Sequence, residues 1–184
     1  MFLDLTENTN QNVYSYLVGG ISPRPIAWIS TLNSEGIANI APYSFFTVAS
    51  CKPAVLSVTQ VNPSDKTNKD TLSNLMATKE CVVNIVSQEL VEKMNQSCAN
   101  YPSDINEFDA ANIAQAPSKL VNAPSVADSK VRFECKLREV ISISNEPGGG
   151  KMMLLDVVGI CIDDEVMSGG YIDPELLNAV GKMG

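Results

Sequence analysis

Short apolar runs separated by turn residues dominate the first third of the chain. The segment 26–32 (IAWISTL) mixes β-branched and aromatic residues at strand length, and 33–36 (NSEG) supplies turn chemistry. A second apolar run, 37–41, ends at Pro42, which cannot donate to a sheet ladder and therefore indicates a strand end or an edge strand. The pattern predicts a β-hairpin that leads into an aromatic segment at 43–46 (YSFF).

Farther along the chain, strands alternate with only a few helices. Strands are predicted at 54–61, 81–86, 131–143 and 151–162, where apolar residues form short runs or alternate with polar ones. Helices are predicted directly after the polar segment 65–71, with Asp70 or Thr71 as the N-cap residue, and over 88–98. This order lacks the regular strand-helix alternation of a parallel sheet, so it favours an antiparallel barrel with peripheral helices.

The chain has the length of one domain, and no linker divides its 184 residues. We therefore expect a single domain over residues 1–184. Residues 99–124 lose their periodicity and are rich in proline and acidic residues. They predict a long irregular excursion with one short helix, and loops of this length within a domain are often lids or binding loops.

Charge and hydropathy exclude several classes of partner. A net charge of −8 and a pI near 4.5 argue against nucleic acid, whose phosphates require a basic surface. No apolar stretch has the length of a membrane helix, and Asp4 and Glu7 stand where a signal peptide would carry basic residues. The five cysteines are widely spaced, without a CxxC pair. We expect a cytoplasmic protein with reduced thiols and no membrane partner.

Histidine is absent from the chain. Its absence removes serine-histidine and cysteine-histidine nucleophiles, histidine-ligated zinc, and the usual proton-transfer residue near neutral pH. An organic cofactor with its own reactivity is compatible with such a composition, because the protein then only binds and orients it. We expect no catalytic side chain and no metal ion.

Two local features have both a functional and a structural interpretation. The aromatic segment after Pro42 would stack on a planar ligand, or its rings would simply fill the core. The predicted helix start at 69–71 would seat a phosphate on its free N–H groups beside Lys69, or it would be an ordinary capped surface helix. Each segment taken alone favours the structural interpretation.

A resemblance to a known family joins these features. In chain order, PRPIAWISTLNSEGIANIAPYSFF, KDTLSNL, CVVNIVSQELVEKMN, GGGKMMLLDVVGICIDD and YIDPELL resemble the flavin reductase-like FMN-binding split-barrel family, which includes flavoredoxins. The resemblance extends over about residues 13–181, and its most specific part is the coupling of the A-P-Y-S-F-F loop to the K-D-T segment. It implies a mainly β, antiparallel (Greek-key) split barrel with peripheral helices, of the FMN-binding type.

The same resemblance implies where FMN would bind. The isoalloxazine ring and ribityl chain would be lined by Ser30, Thr31, Asn39, Ala41, Pro42, Tyr43, Ser44 and Phe45, with Ser57 and Thr59 approaching from a neighbouring strand. Lys69, Asp70 and Thr71 would hold the phosphate. Arg24 would either add positive charge there or lie in a solvated loop.

For function, the resemblance implies an NAD(P)H-dependent FMN reductase in which the reduced nicotinamide transfers hydride to flavin N5. The alternative is a flavoredoxin-like carrier that passes electrons between protein partners and has no nicotinamide site of its own. A flavin-free split-barrel dimer is a third possibility. No motif separates NADH from NADPH as the donor. The resemblance also implies a homodimer with the flavin near the subunit interface.

Overall fold

Most of the chain is organised around one seven-stranded sheet. This is seen in a computed structural model that describes residues 2–6, 12–64, 69–99 and 101–184. Residues 65–68 of the predicted polar segment and residue 100 of the excursion lie outside the described residues. No helix in the described ranges is both long enough and apolar enough to cross a bilayer.

Strands outnumber helices. The strands are β1 (Arg24–Pro25), β2 (Ala27–Leu32), β3 (Ala38–Tyr43), β4 (Phe46–Cys51), β5 (Ala54–Val61), β6 (Glu80–Ile85), β7 (Gln115–Ala116), β8 (Ser125–Val126), β9 (Val131–Ser142), β10 (Gly150–Ile162), β11 (Met167–Ser168), β12 (Tyr171–Ile172) and β13 (Gly181–Lys182). The helices are α1 (Val13–Gly20), α2 (Asp70–Thr78), α3 (Val91–Gln96), α4 (Glu107–Ala110) and α5 (Pro174–Leu177), with 3-10 turns at Gln88–Leu90 and Asp164–Val166.

The main sheet has the order β3-β2-β6-β9-β10-β5-β4, and every pair in it is antiparallel. Its two edge strands, β3 and β4, are consecutive in the chain and are separated only by Ser44 and Phe45. A link of two residues brings the two edges together, so the sheet curls into a barrel that is split between β3 and β4. The Thr59 N–H donates to the Phe45 carbonyl at 2.8 Å and holds this link against β5. The predicted antiparallel split barrel is confirmed.

The core has two main parts, one on each face of β2. Because side chains alternate along a strand, Ile29 points into the barrel interior with Val58 and Leu155. Trp28 points the other way and packs with Phe108 of α4 and other residues of the peripheral layer. Burial on both faces explains why the apolar residues Ala27, Trp28 and Ile29 follow one another in β2 without polar alternation.

Some local predictions need correction. Pro42 does not end its strand but lies within β3, opposite Trp28. The other alternative predicted for Pro42, an edge strand, is confirmed. The edge position of β3 explains this, because an edge strand has one side on which a missing N–H breaks no ladder bond. The link after β3 is shorter than the predicted aromatic segment 43–46, because Tyr43 belongs to β3 and β4 begins at Phe46. The helix predicted over 88–98 is a 3-10 turn followed by the shorter α3.

The excursion 99–124 packs onto the sheet. It contains the predicted short helix, α4, and also strand β7, which pairs with β8. Glu134 of β9 is buried, and its two carboxylate oxygens accept hydrogen bonds from Lys119 N–H at 2.8 Å and Leu120 N–H at 2.5 Å. The excursion therefore covers part of one face of the sheet at β9.

Candidate functional site

Three adjoining cavities follow the Ala41–Phe46 segment at the split of the barrel. The Arg24 cavity has a volume of about 510 Å³, the Lys182 cavity about 410 Å³ and the Lys69 cavity about 210 Å³. Ser44 lines both the Arg24 and the Lys182 cavities, while Pro42 and Cys98 line both the Lys182 and the Lys69 cavities. Because they share these walls, the three cavities form one groove with a basic side chain in each part.

The backbone at the middle of this groove has free donors. Ser44 and Phe45 are the two residues between β3 and β4, and both are partly buried. Within the described residues, neither backbone N–H donates a hydrogen bond to a protein acceptor. Partly buried N–H groups without a protein partner are available to a ligand. The loop that the sequence singled out thus lies at the seam and offers hydrogen-bond donors there.

The Lys69 cavity is built by the start of α2 and by β3. Lys69 and Asp70 line it together with Asn39 and Ala41. The N-cap of α2 is Lys69, not Asp70 or Thr71, and the Lys69 side chain makes no capping hydrogen bond. Among the described residues, the N–H groups of Asp70 and Thr71 have no backbone acceptor, whereas the Leu72 N–H donates to the Lys69 carbonyl at 3.1 Å.

Thr71 supports this cavity without lining it. Its side chain is 1% exposed, and its hydroxyl lies 3.0 Å from the amide of Asn39. We assign the Asn39 amide with its nitrogen toward the Glu107 carboxylate at 3.3 Å and its oxygen accepting from the Thr71 hydroxyl, because a carboxylate accepts from N–H and not from a carbonyl oxygen. Thr71 thus fixes α2 against β3, below the cavity floor.

Glu107 is a site residue that the sequence did not indicate. It lines the Lys69 cavity from α4, is 8% exposed, and accepts a hydrogen bond from the Ile40 N–H at 2.7 Å. Burial raises the pKa of Glu107 to about 7; the Ile40 N–H opposes this rise and the negative charge of Asp70 adds to it. No sequence signal marked Glu107, because it is one acidic residue in a generally acidic excursion.

The Arg24 cavity contains four other predicted residues, namely Ser44, Phe45, Ser57 and Thr59. Arg24 is only 4% exposed, so the interpretation as a solvated loop residue is wrong. Its Nη1 donates to the carbonyls of Val18 and, at 2.7 Å, Ile21 at the end of α1, whereas its Nε has no partner. Arg24 is therefore a buried cation. It lines a different cavity from Lys69, contrary to the expectation that it adds positive charge beside Lys69.

Tyr43 separates the groove from the barrel interior. The ring is buried in the inner core, and its hydroxyl lies beside Thr71 without completing a hydrogen bond. Burial raises the pKa of Tyr43 above its ordinary value; the nearby Thr71 hydroxyl opposes this, and Glu107 and Asp70 reinforce it. The phenol therefore stays neutral and serves as apolar wall, with Lys69 near its face.

Ser30 and Thr31 are not brought to the groove. Both side chains are fully buried in β2. The Ser30 hydroxyl donates to the Pro124 carbonyl at 2.5 Å, and the Thr31 hydroxyl accepts from the Asn74 amide at 3.1 Å. These hydroxyls tie the excursion and α2 to the sheet, so we leave both residues out of the site proposed below.

The Lys182 cavity was not anticipated from the sequence. Its walls come from α3 and the preceding 3-10 turn, with Gln88, Met94 and Asn95, and from β13, which carries Lys182. β13 reaches the site because it pairs with β1, with Lys182 opposite Arg24. Burial raises the pKa of Cys98, which lies between this cavity and the Lys69 cavity, while Lys182 and Lys69 oppose the rise. Both ammonium groups therefore act on the same part of the groove.

Comparison with known proteins identifies the family to which this chain belongs. The sequence model of the flavin reductase-like domain family matches residues 19–174, which is most of the chain. The chain belongs to the flavin reductase-like family. An uncharacterized protein of Aquifex aeolicus is 37% identical to this flavin reductase-like chain over 179 residues, covering 97% of this chain and 89% of the relative.

Solved structures give the same result for this flavin reductase-like chain. Nitrilotriacetate monooxygenase component B from Bacillus cereus is 28% identical, with a TM-score of 0.92, and the match covers 100% of this chain and 91% of that one. The 2-nitrobenzoate 2-nitroreductase of Pseudomonas fluorescens is 27% identical, with a TM-score of 0.87, and the match covers 100% and 88%. These similarities support an oxidoreductase with a flavin cofactor.

The groove of this flavin reductase-like chain suits a flavin mononucleotide. The Arg24 cavity has a mainly apolar wall and a volume within the roughly 300–1,000 Å³ typical of ligand sites. The free N–H groups of Ser44 and Phe45 match a polar ring edge, and the cations at Arg24, Lys69 and Lys182 match a phosphate. The residues present therefore fit the group.

Proposed function

We propose that this protein is an NAD(P)H-dependent FMN reductase. The observation that carries the proposal is the position of Ser44 and Phe45 at the split of the barrel. Within the described residues their N–H groups have no protein acceptor, and Ser44 lines both the cavity with Arg24 and the cavity with Lys182. This arrangement offers donors to the ring of a bound flavin and a positive charge on either side.

In this proposal, Ala41, Pro42, Tyr43, Ser44 and Phe45 form one wall of the FMN site, with Ser57 and Thr59 approaching from β5. Lys69, Asp70 and Asn39 surround the phosphate, and Thr71 holds Asn39 in place. Bound FMN supplies the hydride-accepting chemistry. The protein contributes orientation, exclusion of water, and donors that stabilise negative charge on the ring.

Rapid mixing of FMN-loaded protein with NADH and, separately, NADPH under anaerobic conditions tests the activity. We expect loss of the visible flavin absorbance with at least one donor. No loss with either donor, combined with rapid reduction by a ferredoxin or a disulfide reductase, would replace the reductase proposal with an electron carrier. A colourless protein that binds no added FMN would refute both.

The proposal includes a homodimer. β4 is an edge strand of the main sheet and exposes Thr47, Val48 and Ala49. Val48 is 60% exposed, and unprotected edge strands with apolar residues favour pairing with another chain. Sedimentation equilibrium tests this assembly, and a monomeric mass at micromolar concentration would exclude it.

A further inference from the structure

Glu107 is the most unusual ionisable group in the groove. It is a buried carboxylate whose hydrogen bonds come from the Ile40 N–H at 2.7 Å and the Asn39 amide at 3.3 Å, both to Oε2. No ion pair to Glu107 occurs within the described residues, and Oε1 has no hydrogen-bond partner there. A buried carboxylate without a cation is costly when ionised, and protonation removes that cost.

The surroundings of Glu107 determine how it responds to a ligand. The charged and titratable groups around it are Lys69 and Asp70 at the start of α2, Tyr43 of β3, and Cys98 and Tyr101 after α3. Burial raises the pKa values of Tyr43 and Cys98, so both stay neutral near pH 7. Among the residues that the structure describes, Lys69 is then the one cation that lines this cavity, beside two carboxyl groups.

The two carboxyl groups of this cavity would repel an anionic ligand when both are ionised. A phosphate dianion beside Lys69 would lie in the same 210 Å³ cavity as Asp70 and Glu107. Negative charges that share one small, partly buried cavity repel each other strongly. Neutralising one carboxyl group relieves the conflict, and Glu107 is the more buried of the two.

We propose that Glu107 is a phosphate-positioning residue that takes up one proton when FMN binds. This inference rests on the proposed FMN site at Lys69 and names a residue of that site. The proton comes from solvent, and the protonated carboxyl group keeps its acceptor bond from Ile40 while Oε1 gains an O–H that is able to donate to a phosphate oxygen. FMN affinity is therefore highest when Glu107 is protonated and falls as Glu107 ionises.

Titration of FMN and of riboflavin, followed by flavin fluorescence, tests the proposal. Riboflavin carries the same ring without the phosphate. Between about pH 7 and about pH 9 the phosphate is already a dianion, so the ligand itself contributes little proton linkage. We expect the FMN dissociation constant of the wild-type protein to rise about tenfold over this range, and that of riboflavin to change less than about twofold.

Two matched variants test whether Glu107 is the group that takes up the proton when FMN binds. Glu107→Gln keeps the acceptor for Ile40 and imitates the protonated acid, so its FMN affinity should be independent of pH. Asp70→Asn removes the other carboxylate of the cavity and should retain the pH dependence. If Glu107→Gln kept the wild-type slope, or if the wild-type affinity for FMN did not change with pH, the proton uptake would be refuted while FMN binding stood.

A calorimetric measurement needs no variant. Titration of the wild-type protein in two buffers of different ionisation enthalpy, near pH 8, should show uptake of about 0.5 to 1 proton with FMN and about none with riboflavin. Zero uptake with FMN would overturn the inference. Absence of binding by both flavins at every pH would instead refute the FMN site itself.

Discussion

The ammonium nitrogen of Lys69 lies 5.9 Å from the ring centroid of Tyr43. The contact joins the start of α2 to the end of β3, in the two segments whose combination first suggested a flavin site. At this distance a lysine has a weak cation-π interaction with a tyrosine ring. The main effect of the contact is on the position of Lys69, because it holds the ammonium group at the rim of the groove.

Removal of the Lys69 ammonium should weaken FMN binding. For Lys69→Ala we expect a loss of about 1.5 to 3 kcal/mol in binding free energy, the scale of a hydrogen bond to a charged group. Riboflavin, which has no phosphate, should bind both proteins equally. Lys119→Ala is the control, because Lys119 is an exposed lysine outside the three cavities and its removal changes the net charge equally. Unchanged FMN affinity in Lys69→Ala would remove Lys69 from the phosphate site.

Cys51 should be dispensable for flavin binding and reduction. It is an exposed thiol at the end of β4 and lines none of the three cavities. Cys51→Ser should therefore keep the FMN dissociation constant and the rate of reduction by NAD(P)H within about twofold of the wild-type values, the usual range for a surface substitution. A loss of electron transfer in this variant would show a redox role that the structure does not indicate.

Asn84 should be critical for stability. Its buried side chain donates to the Trp28 carbonyl at 2.9 Å and accepts from the Val126 N–H at 2.9 Å, which links β6 to β2 and β8. Asn84→Ala leaves two buried backbone groups unpaired, and we expect a loss of about 2 to 4 kcal/mol in the free energy of unfolding by urea. Asn145→Ala, at an exposed asparagine in the β9–β10 turn, should cost less than about 0.5 kcal/mol. Equal costs would contradict this assignment.

Glu107 should also make the free energy of unfolding depend on pH. Because its pKa is about 7 in the folded protein against an ordinary value of 4.5, the folded state binds more protons than the unfolded state between these values. Stability from this group is therefore complete below the lower value, falls as the pH rises, and levels off above the higher value.

Glu107→Gln removes this dependence. Above about pH 7 the variant should be more stable than the wild-type protein by about 1 to 2 kcal/mol, less than the full pKa shift implies because solvent screens part of the charge. Below the unfolded-state pKa the two proteins should differ little. Urea unfolding at a series of pH values measures the difference, and a difference that does not vary with pH would contradict the raised pKa.

Local sequence patterns were sufficient to predict much of the fold. The hairpin of β2 and β3 follows from an apolar run, the turn at 33–36 and a second run, and β5, β6, β9 and β10 follow from similar patterns. The antiparallel class follows from the lack of strand-helix alternation. By contrast, β4 was missed because its outward residues are exposed and its run has no clear alternation.

The sequence by itself determined that the chain has an antiparallel β architecture, no histidine-based chemistry, and a loop at 41–46 coupled to Lys69. Only the tertiary structure decided which side chains share a cavity. It buried Ser30 and Thr31, placed Arg24 and Lys69 in different cavities, and brought Glu107 and Lys182 to the groove. Those positions depend on contacts between residues far apart in the chain, such as Glu107 with Ile40, which leave no local periodicity in the sequence.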